Sequence, residues 1–188
     1  MNQIQKVSSY LLITFNVLLV ALPLCDIIQW FFIDTGTIKN LLAQGIVGKS
    51  VQTPEGYVNL STVQWTPFSK TLGFSADILG LLPFVLILFG LKSIFRNYQK
   101  GEIFSTANAR YYKYLGWIFF FDALLIRSLS NTLMVLAVTL SNPPGHRYIN
   151  IQFGTPNMKS LFYGIIVIVI SKIMLEASKL HDDQRFTI

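Results

Sequence analysis

Four long apolar stretches dominate the pattern of hydrophobic and polar positions along this chain. They cover residues 11–33, 72–95, 115–140 and 161–176. About 20 consecutive apolar residues are enough for a helix to cross a hydrocarbon core about 30 Å thick. The fourth stretch reaches this length if Met158, Lys159 and Glu176 lie at the membrane interfaces. The pattern predicts an all-α integral membrane protein, a single domain built as a four-transmembrane-helix bundle.

The first apolar stretch could be mistaken for a secretory signal peptide. Its apolar run is longer than the core of such a peptide, and no cleavage site of small residues follows it. Trp30, Phe31 and Phe32 close the stretch instead, which is typical of an aromatic belt at a membrane interface. We interpret it as a retained helix.

Two loops, residues 34–71 and 141–160, contain segments that favour regular structure. Apolar residues recur at helical spacing over residues 37–46, which predicts a short amphipathic helix on the membrane surface. Residues 57–65 and 148–153 are rich in Val, Ile, Tyr and Trp, and Pro54 and Gly56 favour a turn. We therefore expect the two outer loops to form a small extracytoplasmic β-sheet or hairpin.

The connection between the second and third spans, residues 96–106, is short and polar. Gly101 is expected to end one helix, and Ser105 or Thr106 to cap the next, which extends to residue 140. Lys100, Gly101, Glu102 and Phe104 are the candidate functional residues of this turn.

The distribution of Lys and Arg predicts the orientation in the membrane. The chain is 52% hydrophobic and 13% charged, against about 25% charged residues in ordinary soluble domains. We attribute its net charge of +6 to topology rather than to nucleic-acid binding. One side of the membrane would hold Lys6, Lys92, Arg96, Lys100, Arg110, Lys113, Lys172, Lys179 and Arg185. The other would hold Lys39, Lys49, Lys70, Arg147 and Lys159. Both termini, including the tail 177–188, are expected in the cytoplasm.

Cysteine and histidine usage narrows the chemistry. Cys25 is the single cysteine, so a disulfide within the chain is excluded. His146 and His181 lie outside the spans, which excludes paired intramembrane ligands for a b-type haem. No catalytic or metal-ligand motif is present, so we expect no cofactor and no enzymatic activity.

Charged and polar residues within the spans are the other candidate functional residues. A charge in the hydrocarbon core costs about 2.5–3.5 kcal/mol on insertion scales unless it finds a partner or water. The candidates are Asp26, Asp77, Asp122, Arg127, Asn131 and Lys172. Span three carries small residues at seven-residue spacing: Gly116, Ala123, Ser130 and Ala137. A second series lies four positions after each of these, at Phe120, Arg127, Met134 and Ser141, and the two series form one stripe along the helix. This stripe predicts that Arg127 points into the bundle.

The depths of these residues suggest two polar layers. Arg127 would pair with Asp77 or Asp26 in one layer, and Asp122 would meet Asn16 or Lys172 in the other. These pairs could set helix register, line a path for an ion or substrate, or act as a sensing switch. The spacing of the residues leaves all three roles open.

Two stretches resemble a known family. Residues 95–108 with Leu115-Gly-Trp117, and the closing residues 176–188, are similar to an uncharacterised family of unknown function. Its members are small bacterial four-span membrane proteins with a Lys-Gly-Glu-Ile-Phe-like cytoplasmic turn. The resemblance implies an indirect link to a helix-turn-helix regulator and carries no established activity. Arg185 and Phe186 depart from the acidic and leucine residues that members more often show there.

Two functions remain in view. The first is a non-enzymatic membrane protein that binds a protein partner or acts in regulation or sensing at the membrane. The second is a small oligomeric transporter or channel that uses the intramembrane Asp and Arg residues. In either case the protein would contact the lipid bilayer. Its further candidate partners are a second copy of the same chain or another membrane protein. No direct contact with nucleic acid is expected.

Overall fold

The computed structural model describes residues 3–48, 50–143, 145–149 and 158–186 of the protein. Its elements follow the chain in this order: α1 Gln3–Phe31, α2 Gly36–Ala43, β1 Val51–Thr53, β2 Gly56–Val58, a 3₁₀ turn Leu60–Thr62, α3 Pro67–Gln99, α4 Thr106–Phe121, a π-helical turn Asp122–Ile126, α5 Arg127–Thr139 and α6 Met158–Phe186. Most of the described chain is therefore helical.

Four helices are long and apolar enough to cross a membrane. They are Gln3–Phe31, Pro67–Gln99, Thr106–Thr139 and Met158–Leu180. The third combines α4, the π-helical turn and α5 into one continuous helix. A helical membrane protein with several spans, as the apolar pattern predicts, is confirmed. Each helix begins before the corresponding apolar stretch, because the polar residues at its start still complete backbone hydrogen bonds.

The chain divides into two compact units. The first contains Met1–Ala21, Leu82–Leu124 and Thr155–Ile188, and the second contains Leu22–Leu81 and Leu125–Gly154. The first unit thus holds α4, α6, the start of α1 and the end of α3. The second holds the end of α1, the start of α3, α5 and both loops.

Close approach of small residues builds the first unit. A Cβ atom on Gly164 of α6 would lie 3.0 Å from the backbone oxygen of Gly116 in α4, and Ser171 Oγ donates a 2.8 Å hydrogen bond to the backbone oxygen of Ala109. On another side of α4, Leu115 occupies the space that a side chain at Gly90 of α3 would need. Small residues allow such contacts between helices where lipid provides no hydrophobic driving force.

An apolar cluster holds the second unit together. Its buried members are Trp30, Ile33, Leu42, Leu60, Val63, Ala76, Met134 and Val138. A short helix, α2, is found within the segment predicted to be helical, and its Leu42 packs in this cluster; its place on a membrane surface stays a prediction. The loop after α1 is therefore folded onto the helix ends.

The small sheet is a two-stranded antiparallel hairpin. β1 pairs with β2 in the register Val51–Val58, Gln52–Tyr57 and Thr53–Gly56, which places Pro54 in the turn as predicted. Both strands come from the first loop, whereas the sequence pattern predicted a contribution from each loop. After Val58 the side chain of Asn59 accepts a hydrogen bond from the backbone of Ser61, which turns the chain into the 3₁₀ segment instead of a longer strand.

The second loop forms no strand at Tyr148 or Ile149. The backbone N–H of Tyr148 donates to Thr139 Oγ1 at 3.1 Å instead of to a neighbouring strand. The rest of the predicted strand, residues 150–153, lies outside the described residues. The predicted pairing of residues 57–65 with 148–153 is therefore not found in the described part of the loops.

Candidate functional site

An aromatic and acidic cluster in the second unit brings together α1 and α3. We call it the Trp30 cluster, and it consists of Asp26, Trp30, Gly73 and Asp77. Trp30 Nε1 donates a 2.7 Å hydrogen bond to Asp77 Oδ2. The indole is only 2% exposed and meets Trp65 edge to face at 5.0 Å. Helical spacing puts Asp26 one turn from Trp30, and Gly73 one turn from Asp77.

Glycine is required at position 73 by this packing. A Cβ atom there would lie 2.6 Å from Cζ3 of Trp30 and would overlap the rest of the indole ring. The missing side chain lets the outer edge of the six-membered ring approach α3 one turn before the carboxylate that Trp30 contacts. The sequence predicted an interfacial Trp30 and an intramembrane Asp77, but not the contact between them.

Asp26 contributes a second carboxylate to the cluster. It is half-buried, and its Oδ2 atom is enclosed and accepts no hydrogen bond from any residue that the structure describes. The carboxylates of Asp26 and Asp77 are close enough to repel one another when both are charged. Two such groups could share a proton or a bound cation.

Arg127 lies on the stripe that the sequence predicts to face the bundle. Ala123, Met134 and Ala137 of the stripe are buried, whereas the side chain of Arg127 is exposed. The π-helical turn Asp122–Ile126 precedes Arg127 and locally changes the rotation per residue. That Arg127 faces the bundle and pairs with Asp77 or Asp26 stays a prediction.

Ser130 fixes α5 against α3 in the second unit. Its Oγ donates to the backbone oxygen of Ala76 at 2.8 Å, and a Cβ on Gly80 would lie 2.9 Å from the same Oγ. This contact places the start of α5 beside the helix that carries Asp77. Asn131, the next residue, is exposed.

Asp122 lies in the first unit and is 5% exposed at the start of the π-helical turn. Asn16 and Lys172, its predicted partners, are exposed. Their pairing with Asp122 stays a prediction. π-Helical turns are rare and often found at functional sites, which keeps Asp122 among the candidates.

The 96–106 turn is held from inside by Asn108. This side chain is 0% exposed, and its Nδ2 donates to the backbone oxygens of Glu102 at 2.7 Å and Ile103 at 3.0 Å. Its Oδ1 accepts from Asn97 Nδ2 at 2.7 Å. Asn108 closes the stretch 95–108 that resembles the family, but no role was predicted for it; its place three residues after a helix-capping Ser was the available signal.

α3 runs four residues into the predicted turn, whereas Gly101 and Ser105 lie where a helix end and a helix cap were expected. α3 ends at Gln99, Gly101 adopts a φ of 87°, and Ser105 Oγ accepts from the backbone N–H of Asn108 at 3.2 Å. Three of the candidate side chains point away from the protein: Lys100, Glu102 and Phe104 are exposed. The phenyl ring of Phe104 is 49% exposed.

A polar contact joins the hairpin to the second loop. Glu55, at the hairpin turn, accepts a 2.6 Å hydrogen bond from the Tyr148 hydroxyl and lies 2.6 Å from His146 Nδ1. The hydrogen bond from Tyr148, followed by that from His146, lowers the pKa of Glu55 below its ordinary value of 4.5. The same hydrogen bond raises the pKa of Tyr148. The strand predictions did not anticipate this link between side chains.

In the part of the chain that the structure describes, no three His, Cys, Asp or Glu side chains lie close enough together to hold a metal ion.

The family comparison gives one match. The family described as "Protein of unknown function (DUF2975)" matches residues 50–188, well over half of the chain. This chain belongs to the DUF2975 family. The predicted membership of an uncharacterised family is confirmed. No curated protein and no solved structure matches the chain.

The DUF2975 match divides the candidate residues. It includes Asp77, Asp122, Arg127 and the 96–106 turn with Asn108. Asp26 and Trp30, on α1, lie before the matched region. The 96–106 turn therefore lies wholly inside the matched region. Of the Trp30 cluster, only the α3 residues Gly73 and Asp77 lie inside it.

Proposed function

We propose that this DUF2975 protein is a non-enzymatic protein of the bacterial inner membrane that binds a protein partner through the 96–106 turn. The observation that carries the proposal is the turn that buried Asn108 holds in one shape while Lys100, Glu102 and Phe104 remain exposed. Both termini and the turn would face the cytoplasm.

The structure of the turn favours binding over a purely connecting role. Asn108 satisfies two backbone oxygens that would otherwise need water, so the loop has little freedom left to lose on binding. Aromatic residues are enriched in protein interfaces, and the exposed Phe104 follows a cation and an anion within four residues. A connection between two helices needs none of these features.

The partner would be a cytoplasmic or membrane protein. The resemblance drawn from the sequence implies an indirect link to a small helix-turn-helix regulator. We extend that link to a regulatory or sensing role for the turn, with no direct binding of nucleic acid by this chain.

Photo-crosslinking in cells tests this proposal. A photoreactive phenylalanine analogue at position 104 of the full chain should give one discrete adduct. The exchange Lys100→Glu with Glu102→Lys should remove the adduct while protein level and membrane insertion stay the same. The analogue at position 57, where Tyr57 is also exposed, is the matched control and should not give that adduct. The proposal is contradicted if position 104 gives no adduct, or if its adduct persists after the charge exchange.

A small oligomeric transporter or channel is the second candidate. Asp26 and Asp77 favour it, because the enclosed oxygen of Asp26 accepts no hydrogen bond from a described residue and a second carboxylate lies near it. The purified chain in liposomes would then conduct protons or monovalent cations. Asp26→Asn and Asp77→Asn should each abolish the flux, and Asn131→Ala should not. Liposomes that show no flux above empty ones reject this function.

A further inference from the structure

The first unit carries three exposed cations near one another on α4 and α6. They are Arg110 and Lys113 of α4 and Lys172 of α6. The proposed partner turn does not include them, and neither does the Trp30 cluster.

The register of α4 against α6 sets their relative height. Gly116 lies against Gly164, and Ala109 accepts a hydrogen bond from Ser171. These contacts are seven residues apart on each helix and run in opposite directions, so the helices are antiparallel. Lys172, next to Ser171, is therefore level with the start of α4 and within about 8 Å along the axis of Arg110 and Lys113, at about 1.5 Å per residue.

Helical geometry also places the three cations on one side of the pair. Leu115 and Asn108 face α3, because Leu115 occupies the space at Gly90 and Asn108 bonds to Asn97. At about 100° per residue, Arg110 and Lys113 lie on the opposite side of α4. The same rotation from Ser171 puts Lys172 on the matching side of α6. Glu176, the next acidic residue along α6, pairs with Lys179 at 2.9 Å.

Aromatic residues follow the cations along this side of α4. Tyr114 and Trp117 are exposed, and Trp117 stacks on Phe121 with ring centroids 5.8 Å apart. Cations followed by Tyr and Trp and then by apolar residues are typical of a helix surface that crosses the headgroup region into the acyl chains.

We propose that Arg110, Lys113 and Lys172 bind the headgroup phosphate of an anionic phospholipid in the surrounding leaflet. Its acyl chains would lie against Trp117 and the apolar side of α6. Charge complementarity selects this occupant, because three cations attract an anionic headgroup more strongly than a zwitterionic one. Arg110 can also offer two parallel N–H donors to one phosphate.

Titration of the purified full chain in neutral detergent with short-chain phosphatidylglycerol tests the site, with phosphatidylcholine as the zwitterionic reference. We expect Arg110→Gln, Lys113→Gln and Lys172→Gln together to weaken phosphatidylglycerol binding on the order of 100-fold, since each cation near the surface contributes about 1 kcal/mol. The matched control, Lys6→Gln with Lys92→Gln and Arg96→Gln, removes the same charge from α1 and α3 and should retain wild-type affinity.

Two further variants distinguish a loss of lipid binding from a loss of folding. The exchange Arg110→Lys, Lys113→Arg and Lys172→Arg keeps the charge and should keep most of the binding. Lys172→Gln alone should weaken binding in a protein with unchanged elution and melting. Equal losses in the site variant and the control would overturn the site, as would binding that survives all three replacements. Displacement of the lipid by inorganic phosphate at similar concentration would show a free-phosphate site and overturn the lipid assignment.

Discussion

Asn108 shows how much a single buried polar residue can organise in this protein. Three hydrogen bonds connect its side chain to Asn97 and to the backbone of Glu102 and Ile103. Because the side chain is fully enclosed, its removal would leave these groups without their hydrogen-bond partner inside the protein. The conformation of the exposed residues in the 96–106 turn therefore depends on a buried side chain.

Asn108→Ala should lower the free energy of unfolding by about 1–3 kcal/mol, the cost of leaving buried polar groups without partners. The change should also make the 96–106 turn more susceptible to proteolysis. Asn131→Ala, at an exposed position, is the control and should change stability by less than about 0.5 kcal/mol. Denaturant titration in detergent and limited proteolysis measure both effects. An Asn108→Ala protein with wild-type stability and an intact turn would contradict the role assigned to this side chain.

At the scale of elements, glycine determines how closely α1 and α3 pack in the second unit. Gly73 accommodates the ring of Trp30, and this approach brings the indole N–H to Asp77. Gly116 and Gly164 play the corresponding part for α4 and α6 in the first unit. Helix pairs in both units thus meet where a side chain is absent.

Gly73→Ala should destabilise the protein by about 1–3 kcal/mol, the usual cost of overpacking, because the new methyl group overlaps the Trp30 ring. Gly36→Ala is the matched control, since a Cβ atom there meets nothing within 4 Å. Thermal unfolding followed by tryptophan fluorescence would compare the stability of the two variants. Equal melting temperatures for the two variants would argue against this packing.

The contact between the hairpin and the second loop should depend on pH. The pKa of Glu55 is lower in the folded protein than its ordinary 4.5, so its contribution is fully present above pH 4.5. The contribution is lost as the pH falls through the lowered value, because the protonated carboxyl no longer attracts Tyr148 and His146 as strongly. Hydrogen exchange in the hairpin should therefore accelerate as the pH falls below 4.5, after correction for the intrinsic rate.

Glu55→Gln removes the titrating group and provides the control for this effect. Its hairpin should exchange faster than that of the wild type at neutral pH and show no further step on acidification. A pH step of equal size in the variant would assign the effect to another group.

At the scale of the whole molecule, charge distribution predicts how the protein lies in the membrane. Four helices are long and apolar enough to cross it, which requires both termini to lie on one side if all four do so. The excess of Lys and Arg around the 96–106 turn predicts that this side is the cytoplasm.

Reporter fusions at residue 101 and at residue 54 should give opposite signals, cytoplasmic at the first and external at the second. The physical reason is the cost of moving several cations across the membrane during insertion. Replacing Arg96, Lys100, Arg110 and Lys113 by Gln together should weaken this preference and yield a mixture of orientations. An external signal at residue 101 in the wild-type chain would overturn the orientation.

The sequence by itself determined the features that depend on local composition. The four helices follow from long apolar runs, because a hydrocarbon core requires continuous apolar surface whatever the neighbours are. Gly101 and Ser105 marked the limits of the 96–106 turn, since left-handed φ values and helix caps are preferences of single residues. The hairpin turn at Pro54 likewise follows from the conformational preferences of single residues.

Tertiary structure alone decided which side chains meet. Three contacts depend on the relative position of separate segments of the chain. They are the hydrogen bond from Trp30 to Asp77, the hydrogen bonds from Asn108 to the backbone of the 96–106 turn, and the hydrogen bond from Tyr148 to Glu55. Periodicity indicates the face on which a residue lies, but not the height at which a neighbouring helix passes it. The π-helical turn changes the rotation of the third long helix between Asp122 and Ile126, a feature that the seven-residue pattern did not predict. Local rules set the elements of this protein, and packing between the helices chose the residues that touch.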